Sequence, residues 1–211
     1  MATELFEARV PVARPVADRP GGPGGLGPID EGGGGWGAAA DPARFGLWAF
    51  LGTVSMLFIG FTSAYIVRRS AVDWRALPLP GLLWWNTAAL LLSSSTLQGA
   101  RRQAEGRRRR WLGLTAVLAL LFVAGQAQAW RLMAAAGFFL SSNPHNSFFY
   151  LLSGVHLLHL GGGLVWFASL AWRRRGWGSG PAADRALSLF ATYWHFLALL
   201  WVYVMALIFF F

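Results

Sequence analysis

The last 25 residues of the chain, 187–211, form an uncharged apolar run that carries Tyr193-Trp194-His195-Phe196 near its start. A helix rises about 1.5 Å per residue, and about 20 apolar residues cross the hydrocarbon core of a bilayer. Because lipid offers no hydrogen-bond partners, such a run must close its backbone hydrogen bonds within one helix. The segment predicts a membrane-spanning helix, and the imidazole within it calls for a contact with a neighbouring helix.

Four further apolar segments precede this run, at residues 45–67, 82–97, 111–133 and 148–172. Hydrophobic residues make up 55% of the chain and charged residues 13%, compared with about 25% in a typical soluble domain. The second segment is the shortest, and Ser93-Ser94-Ser95-Thr96 makes its end polar. Serine hydroxyls can bond back to helix carbonyls, so a full span is predicted, with a re-entrant hairpin as the alternative. The sequence therefore predicts an all-α membrane protein with five transmembrane helices.

The arginines predict how these helices are oriented. All 18 basic residues are Arg, and the formal net charge is +9. With the N-terminus inside, the inner regions hold 14 of them, with 4 up to Arg44, 6 in residues 98–110 and 4 in residues 173–186. The outer regions hold four, which are Arg68, Arg69, Arg75 and Arg131. This excess predicts that the N-terminus lies inside and the C-terminus outside. Because the arginines are spread between apolar segments and do not form one basic face, nucleic acid is not expected as a partner.

The N-terminal part of the chain differs from the rest in composition. Residues 1–43 are dense in Gly and Pro and include Gly32-Gly33-Gly34-Gly35. Such a stretch buries too little surface to offset its ordering entropy, so it is predicted to be a disordered cytoplasmic tail. It has no apolar stretch of signal-peptide length, so the first membrane segment is expected to act as its own insertion signal. Residues 44–211 are predicted to form the five-helix transmembrane domain.

The membrane segments offer little catalytic chemistry. None of the nine acidic residues lies within a predicted segment, and the chain has no Cys, so carboxylate relays and thiolate sites are not expected. His156-Leu157-Leu158-His159 places two imidazoles on one helix face, but no Glu follows as a base, which argues against a hydrolytic zinc site. Two interpretations of the histidines remain. Either His156 or His159 faces His195 across a haem, or each imidazole bonds to a neighbouring helix.

Small residues beside the histidines favour helix packing. Gly154 and Gly163 lie on the fourth segment, where His156, His159 and Gly163 share one stripe because steps of three and four return to the same face. On the fifth segment a similar stripe consists of Ala191, His195 and Ala198. Small residues let helices approach closely in lipid, so the two segments are expected to pack along these stripes. The side chains expected to bond between helices elsewhere are Asn86, Ser94, Gln98, Gln126 and Gln128.

Each apolar segment carries a distinctive motif, and together the motifs cover nearly everything from Arg44 onward. They are Arg44-Phe45-Gly46-Leu47-Trp48-Ala49-Phe50; Asn86-Thr87 with Leu91-Leu92-Ser93-Ser94-Ser95-Thr96; Gln126-Ala127; Phe149-Tyr150-Leu151-Leu152-Ser153-Gly154-Val155-His156-Leu157-Leu158-His159; and Tyr193-Trp194-His195-Phe196 with Trp201. In type and in order these motifs resemble those of subunit III of the haem–copper oxidases. The chain is identified on these motifs as a member of that family, in its short bacterial form with five spans.

The resemblance implies a non-catalytic subunit of a proton-pumping terminal oxidase in the bacterial inner (plasma) membrane. In that family subunit I carries the haems and copper that reduce oxygen, whereas subunit III binds no redox centre, flanks subunit I and encloses lipid in a cleft. No cofactor is expected in this chain, and the expected partners are subunit I, subunit II and membrane lipids. The residues expected to serve helix packing or the lipid cleft are Gln126, Gly154, His156, His159, Gly163, Tyr193, Trp194 and His195.

The chain departs from the family at its usual ionisable positions. Where the family commonly has a Glu in the first span, this chain has Val54, and a second Glu is replaced around Ala129-Trp130. Leu197-Ala198 stands where an Asp is usual, and a His pair is replaced around Leu97-Gln98. The roles carried over are therefore packing and lipid contact, which need only shape.

A cytochrome c oxidase is expected rather than a quinol oxidase, although the electron donor binds to other subunits. The alternatives are a subunit-III-like partner of a nitric oxide reductase and an independent bis-His membrane cytochrome.

Overall fold

Five long helices make up the computed structural model, which describes residues 41–70, 72, 74, 80–139, 143–172 and 180–210. In chain order they are α1 (Pro42–Arg69), α2 (Leu82–Arg101), α3 (Glu105–Ala135), α4 (Pro144–Trp172) and α5 (Pro181–Phe210). No strand occurs within these ranges, so the predicted all-α class is confirmed. The predicted disordered tail lies outside the described residues as far as position 40.

The helices extend beyond the apolar segments from which they were predicted. α3 begins at Glu105 rather than 111, and α5 begins at Pro181 rather than 187. The apolar pattern marks only the part of a helix that suits hydrocarbon, whereas the helix itself continues into the polar interface. α1 likewise begins before Arg44, where the Asp41 carboxylate accepts a hydrogen bond from the Ala43 amide at 3.2 Å and Pro42 takes the first helical position.

Four of the five described helices are long and apolar enough to cross a membrane, and these are α1, α3, α4 and α5. α2 does not meet that criterion, because it carries Asn86 and Gln98 as well as four consecutive hydroxyl residues. Its 20 residues nevertheless reach about 30 Å, which matches the thickness of the hydrocarbon core. Whether α2 crosses the membrane therefore remains a prediction.

α5 is the central helix of the bundle and contacts α1, α2 and α4. Its side chains Trp194 and Trp201 are among the largest fully buried groups of the described structure. α2 packs most extensively against α3, and α1 packs against α4 and α5. This arrangement brings the Ser-rich part of α2 and the His motifs of α4 and α5 to the contacts between helices, with His156 buried and His159 and His195 half-buried.

Candidate functional site

His195 faces α2, and two side chains of that helix contact its ring. Its Nδ1 is hydrogen-bonded to the Ser94 hydroxyl, and its Nε2 lies 3.5 Å from the Gln98 side-chain oxygen. That oxygen also accepts from Arg101 at 3.1 Å, and Arg101 donates to Ser188 on α5 at 3.2 Å. The four contacts form a polar line that joins α2 to α5.

This position corrects the expectation that His195 lies on the contact between α4 and α5. Tyr193 and Trp194 make that contact instead, because they lie against Gly163. Residues two apart on a helix point about 200° away from each other, so Tyr193 and His195 cannot both face α4. Ala191 and Ala198 of the predicted stripe are both buried.

A second polar group ties α3 into the same region. The indole of Trp194 donates to the Ser93 hydroxyl at 3.2 Å, and that hydroxyl donates to the Thr115 carbonyl on α3 at 3.0 Å. Thr96 and Thr115 share a further hydrogen bond of 3.0 Å. The consecutive hydroxyl residues of α2 therefore contact two neighbouring helices as well as their own backbone.

His156 lies in an aromatic enclosure. Its ring is fully buried, with centroid distances of 5.9 Å to Phe122 on α3 and 4.9 Å to Trp201 on α5. Trp201 is held in place by donating its indole proton to Thr87 on α2 at 3.0 Å. Neither ring nitrogen of His156 has a hydrogen-bond partner among the described residues, and the same holds for the side-chain amide of buried Gln126. The enclosure thus joins side chains from α2, α3, α4 and α5.

The His159 ring points toward α1, and the His159 backbone carbonyl accepts a hydrogen bond from α5. The ring Nδ1 donates to the Val155 carbonyl at 2.8 Å, and the ring centroid lies 6.2 Å from that of Phe50 and 6.3 Å from that of Phe58. The Tyr193 hydroxyl donates to the His159 carbonyl oxygen at 2.8 Å. His159 therefore stands where α1, α4 and α5 meet.

The two glycines of the predicted site occupy contacts of different tightness. A Cβ atom on Gly163 would lie 3.0 Å from the Tyr193 ring and 3.1 Å from the Trp194 ring. A Cβ atom on Gly154 would lie 4.0 Å from the Trp130 ring, which is an ordinary contact. Gly163 is thus the position at which the absence of a side chain sets the distance between α4 and α5.

Two ion pairs join the helix N-termini at one end of the bundle. Arg108 on α3 contacts the Asp184 carboxylate at 2.7 Å, and the next residue, Arg185, pairs with Asp41 at the start of α1. The hydrogen bond from Arg185 holds the pKa of the Asp41 carboxyl below its ordinary value. Adjacent residues of α5 therefore hold α1 and α3.

The three histidines thus contact three different sets of neighbours, and no ring contact brings His156 or His159 opposite His195. Within the described ranges, no group of three or more His, Cys, Asp or Glu side chains is arranged to hold a metal ion. Sequence reasoning identified the three histidines but missed Thr87, which accepts from the Trp201 indole, and Thr115, which bonds to Ser93 and Thr96. A hydroxyl that contacts a distant helix has no local signature in the sequence.

The fold and its contacts define a polytopic helical membrane protein whose buried polar side chains largely connect one helix to another. A family model described as cytochrome c oxidase subunit III matches residues 38–211. The chain belongs to that family.

Individual relatives agree with this assignment. A probable cytochrome c oxidase subunit 3 of Nocardia farcinica is 32% identical over 170 residues, which cover 76% of this chain and 84% of the relative. The cytochrome c oxidase subunit 3 of Synechocystis sp. is 30% identical over 80% of this chain and 76% of its own length. A cytochrome bo(3) ubiquinol oxidase subunit 3 of Pseudomonas aeruginosa is 31% identical, with 78% and 83% covered. The chain is accordingly a subunit III of an oxidase complex, and neither of the alternative functions is favoured.

Proposed function

We propose that this chain flanks the catalytic subunit I of a bacterial haem–copper oxidase, with subunit II in the same complex, and supports oxygen reduction and proton pumping there. The redox groups are assigned to the partner subunits, and the location is the bacterial plasma membrane. The observation that carries the proposal is the polar line through His195, Ser94 and Gln98. In it, the His195 imidazole contacts side chains on another helix of the same chain. Such a contact orients helices and requires no ligand.

Packing and lipid contact are proposed as the means of this support. Helix packing is the role proposed for Gln126, Gly154, His156, His159, Gly163, Tyr193, Trp194 and His195. The positions where the family commonly has carboxylates support this choice. Val54, Ala129 and Leu197 are all buried in the bundle, so they fill its interior with apolar atoms and offer no ionisable group for proton uptake.

The electron donor is proposed to be a cytochrome c. Two of the relatives described above are named as cytochrome c oxidase subunits and one as a ubiquinol oxidase subunit, so the family accommodates both donors. The donor is expected to bind to other subunits of the complex in either case.

The decisive experiment is a reduced-minus-oxidised spectrum of the complex that co-purifies with this chain in mild detergent. Haem absorbance is expected in the complex and is expected to be lost when the chain is isolated alone. The variant His195→Ala should lower the yield of co-purified partners while leaving the haem spectrum of the remaining complex unchanged. Haem that stays with the isolated wild-type chain, and disappears in His195→Ala, would overturn the proposal.

The topology is proposed to be N-terminus in and C-terminus out, with α2 crossing the membrane. Ser70 and Ala104 are exposed residues before and after α2, and the chain has no Cys of its own. Cysteines introduced singly as Ser70→Cys and Ala104→Cys should react from opposite sides with a membrane-impermeant maleimide, Ser70→Cys from outside. Labelling of both from the same side would show that α2 is a hairpin.

A further inference from the structure

Three buried side chains of the bundle carry polar atoms that form no hydrogen bond with any described residue. These atoms are the side-chain nitrogen of Asn86 on α2, both amide atoms of Gln126 on α3 and both ring nitrogens of His156 on α4. Gln126 and His156 are fully buried, and Asn86 exposes 4% of its surface. A buried polar atom without a partner is costly, and nearly all such atoms in folded proteins are hydrogen-bonded.

The contacts of α3 with its neighbours place these three side chains close together. The Asn86 side chain packs over Gly125, the residue before Gln126, and occupies the position that a Cβ atom would take there. Phe122 lies on the same face of α3 as Gln126, because a step of four residues returns to that face. The centroid of the Phe122 ring lies 5.9 Å from that of His156. Within about one turn of Gln126, α3 therefore contacts both Asn86 and His156.

A second set of contacts leads from α4 back to α2 through α5. The centroid of the His156 ring lies 4.9 Å from that of Trp201. The Trp201 indole donates to the Thr87 hydroxyl at 3.0 Å, and Thr87 directly follows Asn86. The circuit of contacts thus closes on the same turn of α2, and the unpartnered atoms share one enclosed region between the helices.

The unpartnered atoms define the chemistry of a ligand for this region. The two amide nitrogens donate, the Gln126 oxygen accepts, and a neutral imidazole offers one donor and one acceptor. Arg108 is the one charged side chain among the buried residues that the structure describes, and it lies about four turns before Phe122 on α3. An ion in the region would therefore lack a counter-charge, which is costly in an apolar interior. A neutral molecule that both donates and accepts is required.

We propose that this region binds ordered water, which bridges the amides of Asn86 and Gln126 to the ring nitrogens of His156. Buried water typically makes about three hydrogen bonds to polar groups that otherwise lack partners. Lipid cannot supply such bonds, so the water is an integral part of the junction between α2, α3 and α4. The inference depends only on contacts within this chain and is independent of the roles proposed for the partner subunits.

X-ray radiolysis of the purified complex tests for water beside these side chains. Water held inside a protein yields hydroxyl radicals in place, and these oxidise the nearest aromatic rings, which mass spectrometry of peptides detects. Phe122 and Trp201 should be oxidised, because their rings enclose His156. The matched control is the pair Phe190 and Trp194, which are the same residue types, are equally buried and pack against each other at 5.4 Å. At the same X-ray exposure the control pair should stay unmodified.

Two results of this comparison would contradict the proposal. If none of the four rings were oxidised, no water would lie beside His156, and its ring would bond directly to a neighbouring side chain or lack a partner. If all four rings were oxidised equally, water would enter the bundle generally and not at one site. The comparison uses only the wild-type protein, so it does not depend on the folding of any variant.

A double variant tests whether Gln126 and His156 hold the water. Gln126→Leu combined with His156→Phe removes the hydrogen-bonding groups and fills the region with apolar side chains. Oxidation of Phe122 should then fall to the level of Phe190. Gln128→Leu removes an exposed amide from the same helix, and this control should leave the oxidation of Phe122 unchanged. Oxidation of Phe122 that persisted in the double variant would overturn the assignment of the water to these two side chains.

Discussion

The side-chain oxygen of Asn86 on α2 lies only 2.0 Å from the position that a Cβ atom would occupy on Gly125 of α3. Asn86 is buried, with 4% of its surface exposed, so its amide fills the notch that the glycine leaves. These two helices form the most extensive contact of the bundle. Their separation is therefore set at this point by the absence of a side chain on Gly125.

Gly125→Ala is expected to destabilise the protein by about 1–2 kcal/mol, because the added methyl group must displace a buried side chain from a packed interface. The measurement is thermal or denaturant unfolding of the purified protein in detergent. Gly113→Ala is the matched control on the same helix, since nothing lies within 4 Å of a Cβ atom there, and it should be neutral or slightly stabilising. In an Asn86→Ala background the cost of Gly125→Ala should disappear, and a cost that persisted would show that the clash is not with Asn86.

Gly163 should be more sensitive to size than its neighbour Gly161. A Cβ atom on Gly163 would meet two buried aromatic rings at 3.0 and 3.1 Å, whereas nothing lies within 4 Å of one on Gly161. Gly163→Leu is expected to separate α4 from α5 and to reduce the yield of folded protein, while Gly161→Leu should have little effect. Gel filtration in detergent after expression compares the two variants, and equal losses would contradict the assignment of Gly163 to this contact.

The hydrogen bond between Ser94 and His195 should appear as an energetic coupling. A double-mutant cycle with Ser94→Ala and His195→Ala is expected to give a coupling of about 0.6 kcal/mol, the average for hydrogen bonds between membrane helices. Ser95 provides the control, because its hydroxyl is exposed and donates to the Leu91 carbonyl of its own helix at 2.9 Å. A cycle of Ser95→Ala with His195→Ala should therefore give no coupling. Equal coupling in both cycles would mean that His195→Ala acts through general loosening of the bundle.

The ion pair between Asp41 and Arg185 predicts a pH dependence in acid. The pKa of Asp41 is lowered from 3.8, chiefly by the hydrogen bond from Arg185. A carboxyl with a lowered pKa stabilises the fold above its unfolded value, and this contribution is lost as the pH falls through the folded value. The melting temperature of the wild type should therefore exceed that of Asp41→Asn by a constant amount between about pH 6 and 8. This difference should disappear below about pH 4.

Melting temperatures of both proteins across this range provide the measurement. Asn retains the N-cap function, so this substitution isolates the ion pair from the cap. If the melting temperatures of the two proteins fell by the same amount in acid, the ion pair would make no contribution to the stability of the fold.

The helices were predictable to different degrees along their length. The segment 148–172 predicted α4 to within four residues at its start, and segment 82–97 gave the first residue of α2. The predicted segments began too late at the Arg-bearing starts of α3 and α5, which begin at Glu105 and Pro181, because a charge interrupts an apolar pattern without interrupting a helix. The Ser-rich stretch was recognised as compatible with a helix, but its contacts with Trp194 and Thr115 lie on distant parts of the chain.

Length, hydropathy and motif order are properties of the linear chain, so they were enough to predict a bundle of apolar helices of the subunit III family. The folded bundle was needed to show that His195 faces α2, that His156 lies between Phe122 and Trp201, and that Arg131 stands beside a groove. The physical reason is that lipid and helix interior are both apolar, so a membrane helix need not carry the polar stripe that shows which face is buried. Contacts between helices determine instead which side of each helix is buried. Examples are a tryptophan that donates to a hydroxyl on another helix and an aromatic ring that packs over a glycine. Such contacts exist only in the assembled bundle.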